Sequence, residues 1–237
     1  FCIIQTMKAY VLAGGLGSRL FPLTLTVPKP LLMLGQKTVL EHILDRLITA
    51  NFEEIIIATS SRSWMYRASI GDVYKGINIR YEESDLPLGT AGQLKHVASG
   101  ENKSFFVSYS DSIIDVDFAD AISFHLKNRA LATILVNDLQ NKIPYGQMVL
   151  DKNKVKSWKE KPSITITVAA GAFIFEPKFL SYIPNRKKYG MNVAINDALK
   201  AGENIVAYRV RSFIDVGNKK NYLEAVKDQV RALGEIP

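Results

Sequence analysis

The chain has 237 residues, 47% of them apolar and 22% charged, the composition of an ordinary globule with one large domain or two small ones. Its only cysteine, Cys2, excludes an intramolecular disulfide and fits a reducing compartment; with three scattered histidines it leaves no zinc-ligand spacing. The formal charge of +7 sits on dispersed lysines and short clusters such as Arg186-Lys187-Lys188, not on the long basic run of a nucleic-acid binder, so small phosphorylated ligands are the expected anions.

Phe1 to Thr6 precede Met7, a natural start for a first strand. They lack the charged region and cleavage site of a signal peptide, and are expected to be vector-derived or upstream residues. The longest uncharged apolar run, Val168 to Phe175, is too short to cross a bilayer.

Ala9 to Leu12 reads as a buried strand and runs into Leu12-Ala13-Gly14-Gly15-Leu16-Gly17-Ser18-Arg19-Leu20. The three glycines allow positive φ and clear side chains from a ligand's path. Successive N–H groups in such a turn make a concave anion site, and Arg19 and Lys29, the latter within Pro28-Lys29-Pro30-Leu31, add positive charge. The spacing is not that of a P-loop, because no Lys-Ser or Lys-Thr follows at the required distance. Nor is it the dinucleotide fingerprint: Leu20 stands where the third glycine belongs, and Ala58-Thr59-Ser60 carries no acid for a ribose. A triphosphate is the ligand that suits the loop, with a plain tight turn as the alternative that glycines alone leave open.

Val39, Leu40, Ile43, Leu44, Leu47 and Ile48 predict an amphipathic helix ending near Ala50-Asn51. A strand is expected over Glu54 to Ala58, a helix over Ser63 to Tyr74 and a strand over Ile77 to Tyr81. This alternation predicts a doubly wound parallel sheet with its ligands beyond the strands' carboxyl ends. Glu82 to Gln93 turns at Pro87 and Gly89 and opens a helix at about Thr90; by spacing it is an ordinary connection. Phe105 to Asp111 is an apolar strand delivering a carboxylate to the active edge, where a hard cation such as Mg²⁺ needs only one or two such groups. Asp117 is better read as the cap of a helix over Phe118 to Lys127. The second half is β-rich: a strand at Ala132 to Val136, a hairpin of Tyr145 to Leu150 with Lys154 to Trp158, and a stretch from Ile164 to Phe175 interrupted at Ala169-Ala170-Gly171. A helix over Asn192 to Lys200, a strand over Ile205 to Val210 and a closing helix over Lys219 to Leu233 follow.

The ordered set of Leu12 to Leu20, Pro22-Leu23-Thr24, Pro28 to Leu31, Leu88-Gly89-Thr90-Ala91-Gly92, Tyr145-Gly146, Glu160-Lys161-Pro162, Ala170-Gly171 and Ile214-Asp215-Val216-Gly217 resembles the signature of the sugar-1-phosphate nucleotidyltransferases. The resemblance implies an α/β, Rossmann-like (GT-A-like) nucleotidyltransferase fold. In it a mostly parallel central sheet carries helices on both faces and a β-rich sugar-binding elaboration. One catalytic domain over 7–237 is expected, without an appended C-terminal β-helix. It also implies roles. Leu12, Ala13, Gly14, Gly15, Gly17 and Ser18 would wrap the phosphates, and Arg19 and Lys29 would neutralise departing pyrophosphate. Asp111 and Asp215 would hold Mg²⁺. Lys161 would bind the sugar phosphate, with Glu160, Gly146, Ala170 and Gly171 around the sugar. Leu88, Gly89 and Thr90 would receive base and ribose. The implied partners are a nucleoside triphosphate and a sugar-1-phosphate, with no nucleic acid or membrane, in the cytoplasm; a homo-oligomer is left open.

A phosphate dianion is already nucleophilic, so such a transfer needs positioning and cations more than a general base. Two departures from the family pattern touch the sugar side: Tyr109-Ser110 precede the metal-site Asp111, and Ala169 replaces a common sugar-binding Asn. The Leu88 to Gly92 run is similar to guanylyl- and uridylyl-transferring relatives. A mannose-1-phosphate guanylyltransferase-like activity is favoured over a glucose-1-phosphate uridylyl- or thymidylyltransferase. A catalytically silent nucleotide-sugar binder is the reading from another class, and the presence of Arg19, Lys29, Asp111 and Asp215 speaks against it.

Overall fold

The computed structural model describes residues 7–232 except 61 and 85. Phe1 to Thr6, and Leu233 at the end of the expected closing helix, lie outside the described residues. The first half runs through β1 (Ala9–Leu12), β2 (Met33–Leu34), β3 (Lys37–Thr38), α1 (Val39–Leu47), β4 (Ile55–Thr59), α2 (Ser63–Ile70), β5 (Val73–Tyr74), β6 (Ile77–Glu83) and α3 (Gly89–Val97). The middle comprises β7 (Phe105–Tyr109), β8 (Ser112–Asp115), α4 (Phe118–Asn128), β9 (Ala132–Lys142), β10 (Gln147–Asp151), β11 (Lys154–Lys159) and β12 (Ser163–Phe175). The chain closes with α5 (Met191–Lys200), β13 (Ile205–Arg209), β14 (Ser212–Asp215) and α6 (Lys219–Ala232).

The central sheet has eight strands in the order β13-β9-β12-β7-β1-β4-β6-β5. Strands β6, β4, β1 and β7 pair parallel, and β12 runs antiparallel to both neighbours. Every residue of β1 and β4 is buried, which explains their unbroken apolar runs: both faces are covered. One face packs Ala9, Val11, Ile55 and Ile57 against Val39, Leu40, Ile43, Leu44 and Leu47 of α1. The other packs Tyr10, Leu12, Ile56 and Val107 against Ala91 and Leu94 of α3 and Met191, Ala194 and Ala198 of α5. A capping box starts α1, with Glu41 N–H donating to Thr38 Oγ1 and Thr38 N–H donating to Glu41 Oε2, as its Thr-x-x-Glu spelling requires. Because β1 is flanked by β4 on one side and β7 on the other, the crevice beyond β1 and β7 is the switch point where such sheets bind ligands.

Three expectations are corrected. The helix from Ser63 stops at Ile70, because Gly71 takes φ 82° and its N–H closes the last turn on Arg67 O, a conformation that favours glycine at a helix end. Val73–Tyr74 is therefore an edge strand on β6. The expected strand to Asp111 ends at Tyr109, and Ser110-Asp111 turn the chain into β8. Finally, Ser163–Phe175 is one strand with a register shift between Ala169 and Phe173. Gly171 makes that bulge with φ 79°, as bulged strands do near functional edges. Strand β9 extends to Lys142, so β9 and β12 leave the body as a long two-stranded ribbon whose far end carries the β10–β11 hairpin. No helix among the described residues is long and apolar enough to cross a membrane.

Candidate active site

The loop after β1 is shaped from both sides. Gly17 alone of its three glycines has positive φ, at 66°. A Cβ there would stand 2.9 Å from Thr24 Cγ2 and 3.3 Å from Lys29 Cβ. Glycine thus lets the Ser18–Leu20 turn fold down on the Lys29 segment, and Thr24 Oγ1 donates to Gly17 O at 2.9 Å. Gly14 has a different reason. Its N–H donates to Gln93 Oε1 at 3.3 Å, and Gln93 Nε2 donates to Thr59 O at 3.3 Å. The buried Gln93 side chain occupies the space that a side chain on Gly14 would need. Gly15 faces open space, where a phosphate can approach the backbone.

Lys29 Nζ forms an ion pair with Asp111 Oδ2, and both side chains are largely buried, at 12% and 15% exposure. Asp111 is tied to the end of the chain as well, since Val216 N–H donates to its carbonyl at 2.9 Å. Strand β14 pairs antiparallel with β8, placing Asp215 opposite Ser112. The Asp215 carboxylate is held at both oxygens: Gly217 N–H donates to Oδ1 at 2.8 Å, and Asn221 Nδ2 donates to Oδ2 at 3.0 Å. The two acids converge over Gly217. The point where its Cβ would sit lies 2.7 Å from Asp215 Oδ1 and 3.1 Å from Asp111 Oδ2. Among the described residues no third His, Cys, Asp or Glu joins a metal-sized group. Two carboxylates without a closed cage suit a cation that draws its remaining oxygens from phosphate and water, which is the habit of Mg²⁺. Beside them, burial and then the Asp111 charge push the Tyr109 hydroxyl up to about 12, opposed by a hydrogen bond with Thr90. Tyr109 is therefore a neutral group at neutral pH.

Two cavities meet here. One, of about 320 Å³, is lined by Leu12, Gly14, Gly15, Arg19, Lys29, Leu88, Gly89, Thr90 and Asp111 among others. The second, of about 460 Å³, is lined by Val168, Ala169, Gly171, Asn192, Phe213 and Asp215. Arg19, Tyr109 and Asp111 border both. Most of the expected site is thus assembled from loops far apart in the chain. Ala13 is buried beneath it, and Gly17 and Ser18 shape the turn without lining either cavity. Ala170 is fully buried, so only Gly171 of that pair reaches the second cavity.

Gly146, Glu160 and Lys161 line neither cavity. They form a corner at the base of the hairpin, where Trp158 Nε1 donates to Glu160 Oε2 at 3.1 Å and the indole packs 2.7 Å from where a Gly146 Cβ would be. Glu160 and Lys161 are exposed. The ribbon meets the second cavity at Leu139, the partner of Ile166. Up to about 16 Å of extended chain then separates Ile166 from Lys161, at roughly 3.3 Å per residue.

Gln93, Tyr109, Lys188, Asn192 and Asn221 also enter the site, and the sequence reading did not assign them. Lys188 belonged to a cluster read as surface charge, and Gln93 meets a partner 79 residues away. Only Asn221 carried a local signal, in the first turn of the helix that follows Asp215.

The nucleotidyl transferase family model matches residues 8–231. The mannose-1-phosphate guanylyltransferase catalytic subunit beta of Dictyostelium discoideum is 31% identical over 229 residues, 93% of this chain and 64% of that protein. The mannose-1-phosphate guanyltransferase of Yarrowia lipolytica is 33% identical over 227 residues, 92% of this chain and 62% of its own length. A UTP–glucose-1-phosphate uridylyltransferase of Synechocystis is 30% identical over 244 residues, covering 93% and 63%. The chain therefore spans a little under two thirds of these relatives. Among solved structures, HddC from Yersinia pseudotuberculosis superposes with a TM-score of 0.73 at 23% identity, covering 94% of this chain and 99% of that one. The UTP-bound UGPase of Acinetobacter baumannii gives 0.70 at 19% identity, covering 94% and 93%. These two likenesses show a shared fold.

Proposed function

The chain belongs to the nucleotidyl transferase family, and from that membership we propose that it transfers a nucleotidyl group from a nucleoside triphosphate to a sugar-1-phosphate, releasing pyrophosphate. The observation that carries this reading is the junction of the two cavities at Arg19, Tyr109 and Asp111. A triphosphate in the first cavity and a sugar phosphate in the second would meet there, an oxygen of the sugar phosphate facing the α-phosphorus. The new O–P bond forms as the bond to the β-phosphate breaks, and the electron pair leaves with pyrophosphate.

The chain's own residues act by position and charge. The open backbone at Gly15 receives the outer phosphates, and Arg19 neutralises charge building on the leaving group. The Lys29–Asp111 pair brings a cation and an anion to the same edge with their charges largely compensated before substrate arrives. Gln93 holds the first turn of the loop, and Asn221 and Gly217 hold Asp215 in one orientation. Asp111 and Asp215 would hold Mg²⁺, for which their convergence over Gly217 is suited. When bound, the ion supplies Lewis-acid neutralisation of phosphate oxygens. Lys161 is proposed to grip the sugar phosphate, with Glu160 on sugar hydroxyls, by a bend of the ribbon over the second cavity. A cytoplasmic location goes with this reading.

Relatives named for guanylyl and for uridylyl transfer both align over most of the chain. Mannose 1-phosphate with GTP is the favoured pair, and glucose 1-phosphate with UTP or dTTP the next. The test is pyrophosphate release from each nucleoside triphosphate against a panel of sugar-1-phosphates with Mg²⁺. Turnover with one pair is the expected result; no turnover with any pair, despite tight nucleotide-sugar binding, would sink the enzymatic reading.

A further inference from the structure

The segment from Lys188 to Met191 is laced to the loop assigned to base and ribose. Tyr189 N–H donates to Leu88 O at 2.7 Å, and Tyr189 O accepts from Ala91 and Gly92 N–H at 3.0 and 3.2 Å. Met191 N–H donates to Thr90 Oγ1 at 2.9 Å. A Cβ on Gly89 would stand 2.7 Å from the Tyr189 carbonyl oxygen, so the two segments touch backbone to backbone. This lacing sets Lys188 on the wall of the first cavity with Leu88 and Gly89. Of the other cations there, Lys29 is engaged by Asp111, and Arg19 lies where the two cavities join. Lys188 is exposed and has no ion-pair partner among the described residues, so its ammonium is free to reach a nucleotide in this cavity from the side of the Leu88–Gly92 loop.

An ammonium offers three donors and no acceptor. Against a base edge it complements oxo groups and ring nitrogens, whereas an exocyclic amino group meets donor with donor. We propose that Lys188 selects nucleotides whose base presents an oxo group on that edge: guanine through O6 and N7, or uracil and thymine through O4, over adenine and cytosine. This inference rests on reading the first cavity as the nucleotide site, and deepens it by naming the base class.

Equilibrium binding of GTP, ITP, UTP, ATP and CTP to the full chain, with and without Lys188→Ala, tests it. The wild-type protein is expected to favour the three oxo-base nucleotides. Lys188→Ala should shrink that preference by about 5- to 150-fold, the range for loss of a good side chain–base contact, with ATP affinity changed less than about twofold. Lys188→Arg should keep most of the preference. The thermal midpoint of each variant checks that an exposed substitution leaves the fold intact. Equal loss across all five nucleotides would make Lys188 a phosphate contact and overturn the proposal, as would no loss at all. Failure of the wild-type chain to bind any of the five would instead overturn the nucleotide reading of the cavity.

Discussion

Strands β1 and β4 and strands β10 and β11 are four short strands with opposite fates. Every residue of the first pair is buried, and every residue of the second is exposed. The first pair lies inside an eight-stranded sheet with a core on each face, while the hairpin pairs only with itself. An isolated two-stranded hairpin is marginal in water. The buried pair carries at its carboxyl edge the Gly14–Arg19 loop and, one strand over, Asp111. The ribbon and hairpin carry Glu160 and Lys161. The charges proposed for catalysis are thus rigidly framed on one side and mounted on a slender arm on the other, which would separate residues that need fixed geometry from residues that can arrive with the substrate.

The sharpest way to break this comparison is at the framed acids. Asp215→Asn and Asp111→Asn should each cut turnover by at least 10² to 10³, about 3–4 kcal/mol of transition-state stabilisation, in a pyrophosphate-release assay. Rates near wild type in either variant would remove that residue from the site. On stability, Phe106→Ala in the buried frame should cost roughly 3–5 kcal/mol in urea unfolding, since Phe106 is 2% exposed. Trp158→Ser in the hairpin, where the side chain is 64% exposed, should stay within about 0.5 kcal/mol. A comparable loss at Trp158 would mean that the arm is packed in solution. Next comes Lys161→Ala, expected to raise the KM for sugar-1-phosphate by about tenfold or more through loss of a charge-assisted hydrogen bond, with kcat less affected. An unchanged sugar-phosphate affinity would show that the arm does not deliver this lysine.

The smallest expected effect is a pH slope. His125 is fully buried between Thr133 and Glu176, its ring nitrogens 2.8 Å from Thr133 Oγ1 and 3.1 Å from Glu176 Oε1. Burial lowers its pKa from the ordinary 6.5, with Glu176 opposing. The unfolded chain therefore binds more protons in the window below about pH 6.5. The stability this neutral histidine contributes is complete above that pH and is lost as pH falls towards its folded value. Thermal midpoints from pH 7.5 to 5 should fall, and His125→Gln should flatten that fall; an unaltered slope would clear His125 of the effect.

The α/β class, the parallel alternation, the glycine turn after β1 and the delivery of Asp111 to the sheet's edge were legible because each rests on local chemistry, whereas Asp215 was singled out only through the family resemblance. Unbroken β-branched runs demand burial on both faces, and an acid directly after such a run must sit at the sheet's edge. The misreadings also had local causes. Gly71 ends α2 inside a run whose spacing continued to look helical, and Gly171 bulges a strand that seemed to be interrupted. Positive φ was needed at Gly17 alone, since Gly14 answers to Gln93 and Gly15 to open space.

The sequence by itself determined which residue types were available for the proposed nucleotidyl transfer, and the order in which the chain presents them. Only the tertiary structure decided which of them meet. Asp111 reaches Asp215 through the β8–β14 pairing, Lys188 is brought beside the Leu88–Gly92 loop by the backbone hydrogen bonds of its neighbour Tyr189 to Leu88, Ala91 and Gly92, and Lys161 stands off at the ribbon's end. Periodicity and spacing report the environment of a residue within its own segment. Contacts between segments depend on strand order and on the length of an unsupported ribbon, which neighbouring residues do not encode.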